Sequence, residues 1–257
     1  MSEDIYVVTS EPGFGPTPLP TWTDRPGRLQ LFEDHDTTRV ARVDIPDVPG
    51  AFQLLNVLSD VEAERLVELS EQLGFHPDAP VSLPHDVRHN DNLNWVVSEA
   101  IDGTFWNRTG HLLTDKVGEQ VAVGINARFR FYRYGPGDYF APHTDGAWPG
   151  SRVVDGVLVA DAYGDRYSQY SYLVFLNDGY DGGRTQFLVS RKDRGKPARD
   201  QNDVNLVSVR TPRGAVLCFP HGSHHQHCVH ASEKISEGTK YIIRTDVLFA
   251  APTLGGS

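Results

Sequence analysis

The sequence has 257 residues, of which 39% are hydrophobic and 23% are charged. This length suits one domain with an elaborated periphery, or at most two small ones, and the composition is that of a soluble globular protein. The formal charge is −10 at pH 7, and the sequence has no basic stripe. A nucleic-acid-binding function is therefore excluded, because phosphate neutralisation supplies most of the affinity of such proteins.

No apolar run approaches the ~20 residues that span a bilayer, so no membrane association is expected. The N-terminal run MSEDIYVVTSEPG contains no apolar stretch of the kind found in a signal peptide. Cys218 and Cys228 are the only cysteines, too few for a disulfide framework. A reducing, cytoplasmic location is the resulting expectation.

The first part of the chain is expected to be an arm followed by helical support. Residues 1–50 begin with a segment rich in proline and glycine and are expected to form an irregular N-terminal arm. Residues 51–257 are expected to form a single domain that starts with a strand over residues 51–58.

Two helices are predicted within a supporting region over residues 59–117. Ser59 and Glu62 form a capping box at the start of the first helix, and Gly74 stands where that helix ends. A second helix is predicted over residues 95–115 from the apolar spacing there. Both helices are expected to pack on the outside of one sheet.

From residue 121 to about residue 250 the pattern changes to short strands of β-branched and aromatic residues separated by turns. The strand-like runs are INARFRFYRY, YSYLVFLN, RTQFLV, NLVSVR, GAVLCF and KYIIRTDVLF. Many short strands with turn punctuation predict an antiparallel sandwich or barrel. The long connections at residues 146–168 and 190–205 are candidates for functional loops.

The most distinctive local feature is His143-Thr144-Asp145. Residues i and i+2 of a strand point to the same side, so an imidazole and a carboxylate can converge on one metal ion. Two histidines and one carboxylate leave open positions on Fe(II). A second copy, His89-Asn90-Asp91, lies in a polar region without a strand pattern and is the weaker candidate.

The C-terminal run GAVLCFPHGSHHQHCVHASEKISEGTKYIIRTDVLF supplies a third metal ligand and a cation. His230 precedes Lys240 by ten residues. A histidine near the end of one strand and a lysine on the next can both face one barrel mouth. An ammonium or guanidinium group there could neutralise a buried carboxylate.

These runs resemble the prolyl 4-hydroxylase-like family of 2-oxoglutarate/Fe(II) dioxygenases. Tyr134 stands nine residues before His143, and Lys240 stands ten residues after His230, as in that family. The run YLVFLNDGYDGGRTQF resembles the family's strand and Gly-Gly-x-Thr turn. Arg184 stands where the family usually has an acid, and residues 190–205 resemble an insertion. The resemblance covers residues 124–250.

The resemblance implies a mainly β protein with flanking helices, folded as a double-stranded β-helix (a jelly roll). It implies iron on His143, Asp145 and His230, and 2-oxoglutarate on Lys240 with help from Tyr134 and Thr185. The implied reaction hydroxylates a C–H bond and produces succinate and CO2. Ascorbate is a candidate reductant, and the substrate is a small molecule or a peptidyl group, with a prolyl or amino-acid-like group favoured.

Several assignments stay open at the level of the sequence. His227 is the alternative to His230, and Arg244 shares a strand face with Lys240 and is the second candidate anchor for 2-oxoglutarate. If Arg244 is not an anchor, its expected role is structural, in a salt bridge with Asp246.

Five further residues have either a functional or a purely structural interpretation: Arg128, Arg130, Trp148, Asn92 and Trp95. They either line the site or serve as solvated strand charges, packing groups or loop residues. The alternative functions are a cupin-like or lectin-like binding module without turnover and a zinc hydrolase that uses the same two histidines and one aspartate. The sequence does not fix the oligomeric state.

Overall fold

The structure is a computed structural model, and it describes residues 3–13, 15–77, 79, 87–198 and 200–252. Within these ranges there are two α-helices, α1 (Asp60–Leu73) and α2 (Glu99–Thr109). The strands of the first half of the chain are β1 (Ile5–Glu11), β2 (Leu19–Asp24), β3 (Ala41–Asp44), β4 (Phe52–Leu55), β5 (Arg88–His89), β6 (Asp91–Val96), β7 (Lys116–Val117) and β8 (Gln120–Ile125). The later strands are β9 (Arg128–Tyr134), β10 (Tyr139–His143), β11 (Arg152–Val154), β12 (Val157–Val159), β13 (Arg166–Phe175), β14 (Tyr180–Gly182), β15 (Thr185–Ser190), β16 (Val204–Val209), β17 (Val216–Pro220), β18 (His230–Ser232), β19 (Ile235–Gly238) and β20 (Lys240–Ala250).

Eight of these strands form a jelly roll made of two facing sheets. The larger sheet has the order β1-β2-β6-β9-β20-β13-β17-β4-β3, with β7 and β8 joined to it through β20. The smaller sheet has the order β16-β15-β18-β10-β5. Along the chain, β9, β13, β17 and β20 fall in the large sheet, while β10, β15, β16 and β18 fall in the small one. The predicted mainly β fold with a double-stranded β-helix is confirmed.

Strand β9 shows how the sequence divides the interior into two layers. Phe129 and Phe131 pack into a cluster with side chains of α1 and α2, such as Leu66. The alternate residues Tyr132 and Tyr134 face the other way, into a cluster between the two sheets. The period of two in a strand thus separates a helix-facing core from the sandwich interior, where the candidate site lies.

The N-terminal residues differ from the expected irregular arm. Strands β1 and β2 pair with each other, and β2 continues the large sheet by pairing in parallel with β6. Trp22 is buried, and the Thr23 hydroxyl donates to the carbonyl oxygen of Val96 at 2.8 Å. The proline and glycine residues mark the connections around these strands, while β-branched and aromatic residues form the strands themselves. The division of the chain into an arm and one dioxygenase domain stays a prediction.

The second predicted helix started too early. Residues 95–96 complete β6, and α2 begins only after Ser98. Trp95 stacks on Phe131 of β9 with ring centroids 6.0 Å apart. Pairing with β9 therefore overrides the helical spacing that includes Val97 and Ile101, and the helix starts where that pairing stops.

The first helix begins and ends as predicted, and its capping residue also ties it to α2. The Ser59 side chain accepts from the Glu62 backbone amide, and the Glu62 carboxylate accepts from the amide of Ser59. The same carboxylate accepts two hydrogen bonds from the Arg108 guanidinium at 2.7 and 2.9 Å. Both side chains are almost fully buried. Burial alone would raise the pKa of Glu62, but the bonds from Arg108 and from the backbone amides of Glu33 and Ser59 together outweigh it and lower this pKa.

Replacing Glu62 with alanine should destabilise the fold strongly, because it leaves the Arg108 charge buried without its carboxylate. We expect a loss of about 3 kcal/mol in the free energy of unfolding, measured by urea titration. The exposed Glu68 on the same helix gives a matched control, for which Glu68→Ala should cost less than about 0.5 kcal/mol. Since the pKa of Glu62 is lowered by folding, the difference between wild type and Glu62→Ala should shrink as the pH falls below about 4. Equal unfolding midpoints for the two variants would contradict this account.

Candidate active site

Three predicted metal ligands meet between the two sheets. His143 ends β10 and is paired directly with His230 of β18, so the two imidazoles lie side by side with ring centroids 4.2 Å apart. Nε2 of His143 lies 3.8 Å from Oδ1 of Asp145, and Nε2 of His230 lies 3.7 Å from Oδ2. All three donor atoms fall within 4.8 Å of one another. Asp145 lies in the loop after β10 rather than on the strand itself, so a turn of the chain brings its carboxylate to the histidines.

The three side chains have the protonation states that metal ligands need. Burial lowers the pKa of His143, and burial together with the neighbouring His143 lowers the pKa of His230 to about 3. Burial opposes ionisation of Asp145, but Arg244 and the two histidines hold its pKa well below the usual range. Nδ1 of His143 lies 2.8 Å from the carbonyl oxygen of Ala141, which leaves Nε2 for a ligand. Two neutral imidazoles and one carboxylate suit a first-row divalent ion such as Fe(II).

A chain of hydrogen bonds supports Asp145 from behind. Ser171 Oγ donates to Oδ2 of Asp145 at 2.5 Å and lies 2.8 Å from Nδ1 of His221. Nε2 of His221 lies 2.8 Å from Ser168 Oγ, which accepts from the backbone amide of Trp148 at 2.9 Å. With His221 neutral, all of these hydrogen bonds can point the same way. They then run from the Trp148 amide through Ser168, His221 and Ser171 to the carboxylate of Asp145. The loop that carries Trp148 is thus connected to the candidate metal ligand.

Lys240 is a buried cation at the start of β20, on the same face of that strand as Arg244. Its side chain is only 1% exposed, and its Nζ donates to the carbonyl oxygen of Gly183 at 2.8 Å and to Ser232 Oγ at 3.1 Å. Among the residues that the structure describes, no carboxylate lies within ion-pair distance of this Nζ. Burial, helped by the charge of Arg210, lowers the pKa of Lys240 to about 7. A side chain on Gly183 would collide with Ile235 at 2.5 Å and with the Lys240 stem at 3.2 Å, so a glycine is required in this turn.

A cavity connects the candidate ligands to Lys240. Its empty volume is about 400 Å³. Its walls are formed by Tyr132, Tyr134, Phe140, His143, Asp145, Leu173, Thr185, His230, Ala231, Ser232, Lys240, Ile242 and Arg244. Because Lys240 and Arg244 are four residues apart on β20, their Cα atoms are separated by roughly 13 Å. Arg244 lies beside Asp145, so Lys240 lies at the far end of this cavity.

A second cavity opens on the other side of the ligands, with an empty volume of about 550 Å³. It shares with the first cavity the residues Tyr132, Phe140, His143, Asp145 and Arg244. The residues that line only the second cavity are Arg88, Arg130, Thr144, Gly146 and Trp148. The candidate ligands therefore stand where two pockets meet, one leading to Lys240 and the other to Trp148.

The predicted cofactor-binding residues lie on the walls of the first cavity. Tyr134, Thr185 and Arg244 line it together with Lys240. Nη2 of Arg244 lies 3.1 Å from Oδ1 of Asp246 and 3.5 Å from Oδ2 of Asp145. The salt bridge weighed for Arg244 is thus present, and Lys240 is the cation of this cavity that has no carboxylate beside it.

The remaining candidates divide between site and scaffold. Asn92 and Trp95 line neither of these cavities: Trp95 is buried core, and the Asn92 backbone bonds to His76. Arg128 pairs with Glu11.

The competing metal and nucleophile candidates fall away as well. The alternative candidate His89 pairs with Asp138. Within the described residues, the cluster of side chains that could hold a metal ion is the one that contains His143. His227 lies outside that grouping. Burial raises the pKa of Cys228 to about 12, so this thiol is not an activated nucleophile.

The sequence interpretation missed three residues behind the ligands. His221 and Ser171 were not linked to the site, and Asp246 was considered only as a partner of Arg244. All three are completely buried. The sequence did contain an indication of buried polar contacts here. Ser168, Ser171 and Asp246 interrupt two strands that are otherwise aromatic and aliphatic, and a buried polar group in a strand requires a partner.

The sequence comparison identifies the class of protein. Residues 129–245, which are 117 of the 257 positions, match the 2OG-Fe(II) oxygenase superfamily. Over this stretch, a little under half of its length, the chain is similar to the 2OG-Fe(II) oxygenases, and the comparison supports a non-haem dioxygenase with Fe(II) and 2-oxoglutarate as cofactors. No curated protein matches the sequence.

Solved structures show a similar fold at low sequence identity. A Trichoplax adhaerens prolyl hydroxylase in complex with a hypoxia inducible factor peptide fragment is 15% identical, with a TM-score of 0.53 over 79% of this chain and 84% of that one. A viral collagen prolyl hydroxylase from Paramecium bursaria Chlorella virus-1 is 17% identical, with a TM-score of 0.48 over 80% and 99% of the two chains. A Pseudomonas putida prolyl-4-hydroxylase is 15% identical, with a TM-score of 0.49 over 77% and 92%. The first of these supports the jelly-roll fold.

The described helices include none that is long and apolar enough to cross a bilayer.

The lowered pKa of Lys240 predicts a specific pH dependence of stability. Between pH 7 and about pH 10 the unfolded chain keeps the proton on this lysine while the folded protein has lost it, so stability should rise with pH. The expected slope is up to about 1.4 kcal/mol per pH unit. Urea unfolding of ligand-free wild type and of Lys240→Met at pH 7 and pH 9 measures the difference. The exposed Lys116 gives a control, since Lys116→Met should follow wild type at both values, and parallel behaviour of Lys240→Met and wild type would show that Lys240 is not perturbed.

Proposed function

We propose that this dioxygenase hydroxylates a C–H bond and that His143, Asp145 and His230 hold its Fe(II). In this proposal Lys240 binds the far carboxylate of 2-oxoglutarate, and Tyr134 and Thr185 line the pocket around it. Bound Fe(II) and 2-oxoglutarate supply the oxidising chemistry, in which O2 is consumed and succinate and CO2 are produced. The residues of the chain bind and orient the reactants and exclude water.

The observation that carries the proposal is the buried Lys240 in the same cavity as the candidate ligands. A buried ammonium group without a carboxylate partner is costly, and it is retained where it has a ligand to bind. A zinc hydrolase or a simple binding module built on the same three ligands has no need of such a group. A dicarboxylate cosubstrate needs it, because one end binds the metal and the other end must be neutralised.

The two cavities give each reactant its own side of the metal. The cosubstrate fits the first cavity, between the ligands and Lys240. The substrate then enters through the second cavity, beside Trp148. Phe140 shields the metal side of both cavities, since its ring stacks on His143 with centroids 3.6 Å apart. This ring also restricts the rotation of His143 and keeps its Nε2 directed at the metal position.

The substrate is proposed to be a prolyl or amino-acid-like group. This choice rests on the sequence resemblance, because the similar structures are too distant to carry substrate identity. A cytoplasmic location and a small-molecule or peptidyl partner remain parts of the same proposal.

Binding of the two cofactors can be tested separately in an anaerobic titration. Fe(II) followed by 2-oxoglutarate should give a weak visible absorption in wild type, and Asp145→Ala should lose it because the metal site is incomplete. Lys240→Ala should bind Fe(II) normally but require at least tenfold more 2-oxoglutarate, since a charge-assisted hydrogen bond to a carboxylate is worth about 1.5–3 kcal/mol. Lys234→Ala removes a lysine that lies outside both cavities and should behave as wild type.

Turnover assays in the presence of O2 on the same proteins, together with the titration, discriminate between the candidate functions. Succinate formation from 2-oxoglutarate, even without substrate, supports the dioxygenase. Absence of succinate with Fe(II) and any candidate substrate would favour a binding module. Hydrolysis that depends on Zn(II) and ignores 2-oxoglutarate would favour the hydrolase. Unchanged 2-oxoglutarate affinity in Lys240→Ala would show that the anchor is wrong.

The support of Asp145 by Ser171 gives a further prediction. Ser171→Ala should weaken Fe(II) binding by about tenfold, because groups that orient a metal ligand typically contribute 10–100-fold to affinity. Ser171→Thr keeps the hydroxyl and should restore most of this loss. Ser190 is a matched control, as its hydroxyl also donates to an aspartate, Asp203, at 2.6 Å but away from the site. Competition with a metal chelator measures the affinity, and equal values for Ser171→Ala and Ser190→Ala would remove the orienting role of Ser171.

A further inference from the structure

The second cavity contains an unusual pair of buried cations. Arg130 of β9 and Arg244 of β20 are direct partners in the sheet, and both line this cavity. Each residue is only 6% exposed. Like charges directly opposite each other on neighbouring strands destabilise a sheet, and their burial adds a desolvation cost. Such a pair requires a compensating negative charge.

Two carboxylates lie near this pair. Asp246 lies 3.1 Å from Arg244 and 3.9 Å from Arg130, and Asp145 lies 3.5 Å from Arg244. Under the proposed function, however, Asp145 gives its charge to a divalent cation. Asp246 is then shared by two guanidinium groups, which leaves one positive charge without a partner.

Arg130 shows this deficit most directly. Its Nη1 is buried and has no hydrogen-bond partner. Burial and the neighbouring Arg244 lower its pKa to about 10, in spite of the opposing charge of Asp246. At neutral pH the guanidinium group is still charged, so it remains an incompletely satisfied cation on the wall of the cavity.

The 2-oxoglutarate pocket does not supply the missing anion to Arg130. Arg244 borders both cavities, but Arg130 and Trp148 line only the second one. The Arg130 guanidinium lies over the Trp148 ring, 5.1 Å from its centroid. The ring restrains the flat guanidinium group, and a restrained guanidinium is well suited to bidentate binding of a carboxylate or a phosphate.

We propose that the substrate carries an oxyanion, a carboxylate or a phosphate, which binds Arg130 and Arg244 in the cavity beside Trp148. This inference rests on the proposed function, because it takes the second cavity as the substrate side of the metal. The bound oxyanion fixes the substrate at one end, so the C–H bond presented to the metal is close to an acidic group. Amino-acid-like substrates are then bound as free acids, or at a terminal carboxylate, rather than as internal peptide residues.

The first test uses wild-type holoenzyme and matched probes. N-acetyl-L-proline, its amide and N-acetyl-O-phosphoserine amide represent a carboxylate, a neutral and a phosphate form of small amino-acid-like compounds. Binding is followed by tryptophan fluorescence, with Trp148→Phe used to assign the signal, and succinate release is measured alongside. We expect the carboxylate or the phosphate probe to bind at least tenfold more tightly than the amide, and the preferred probe identifies the oxyanion. Equal binding of the amide would overturn the proposal.

The second test uses variants. Arg130→Gln should weaken binding of the preferred anionic probe at least tenfold, and Arg130→Lys should recover part of the loss because it keeps the charge but not the bidentate geometry. The exposed Arg28 provides the control, since Arg28→Gln should bind the probe as wild type does. An anionic probe that binds Arg130→Gln and wild type equally would overturn the proposal.

Failure of the underlying function has a different signature. Wild type would then give no visible absorption with Fe(II) and 2-oxoglutarate, whatever the fluorescence titration shows. A normal absorption combined with equal binding of acid and amide would instead refute only the oxyanion site.

Discussion

The burial of charge on one face of β20 is the constraint on which the rest of the site depends. Lys240, Arg244 and Asp246 are each no more than 6% exposed. Buried charges persist only when other charges or hydrogen bonds compensate them. Arg244 is compensated by Asp145 and Asp246, whereas Lys240 has only a carbonyl oxygen and a hydroxyl. The strand therefore places a cation paired with carboxylates beside the candidate metal ligands and a cation without a carboxylate at the opposite end.

The jelly roll makes this arrangement from distant parts of the chain. His143 and His230 are 87 positions apart, yet β10 and β18 pair them directly. The fixed distance between adjacent strands then sets the separation of the two imidazoles. Asp145 is held less rigidly, in a loop, and it is there that the structure adds the hydrogen-bond chain through Ser171 and His221. The support is placed on the one ligand that the sheet itself does not fix.

The residues that could be predicted from the sequence are those whose spacing reflects the sheet. Tyr134 and His143 belong to the consecutive strands β9 and β10, and only the short β19 lies between His230 on β18 and Lys240 on β20, so both separations reflect short connections of the sheet. The capping box at Ser59 is equally local. The roles of Ser171 and His221 could not be predicted, because each depends on contacts between segments that are far apart in sequence, whereas the salt bridge of Asp246 with Arg244 joins two residues of one strand and was considered from the sequence. Strands β1 and β2 were missed because β2 joins the sheet by pairing with β6, and β1 then pairs with β2, which tertiary contacts rather than local pattern decide.

The buried lysine and the buried arginines of the site differ in how they can respond when no ligand is bound. A lysine can lose its proton, and burial already lowers the pKa of Lys240 to about 7. Loss of this proton in the ligand-free protein can therefore relieve part of the cost of burying Lys240. Arginine does not have this option at physiological pH, so Arg130 and Arg244 need a permanent counter-charge. Asp246 supplies it between them, but one carboxylate cannot satisfy two guanidinium groups. Once Asp145 binds the proposed metal ion, one fixed positive charge is left on the side of Trp148, whereas the charge of Lys240 beside Thr185 is adjustable, and anionic ligands that bind the folded protein would neutralise both.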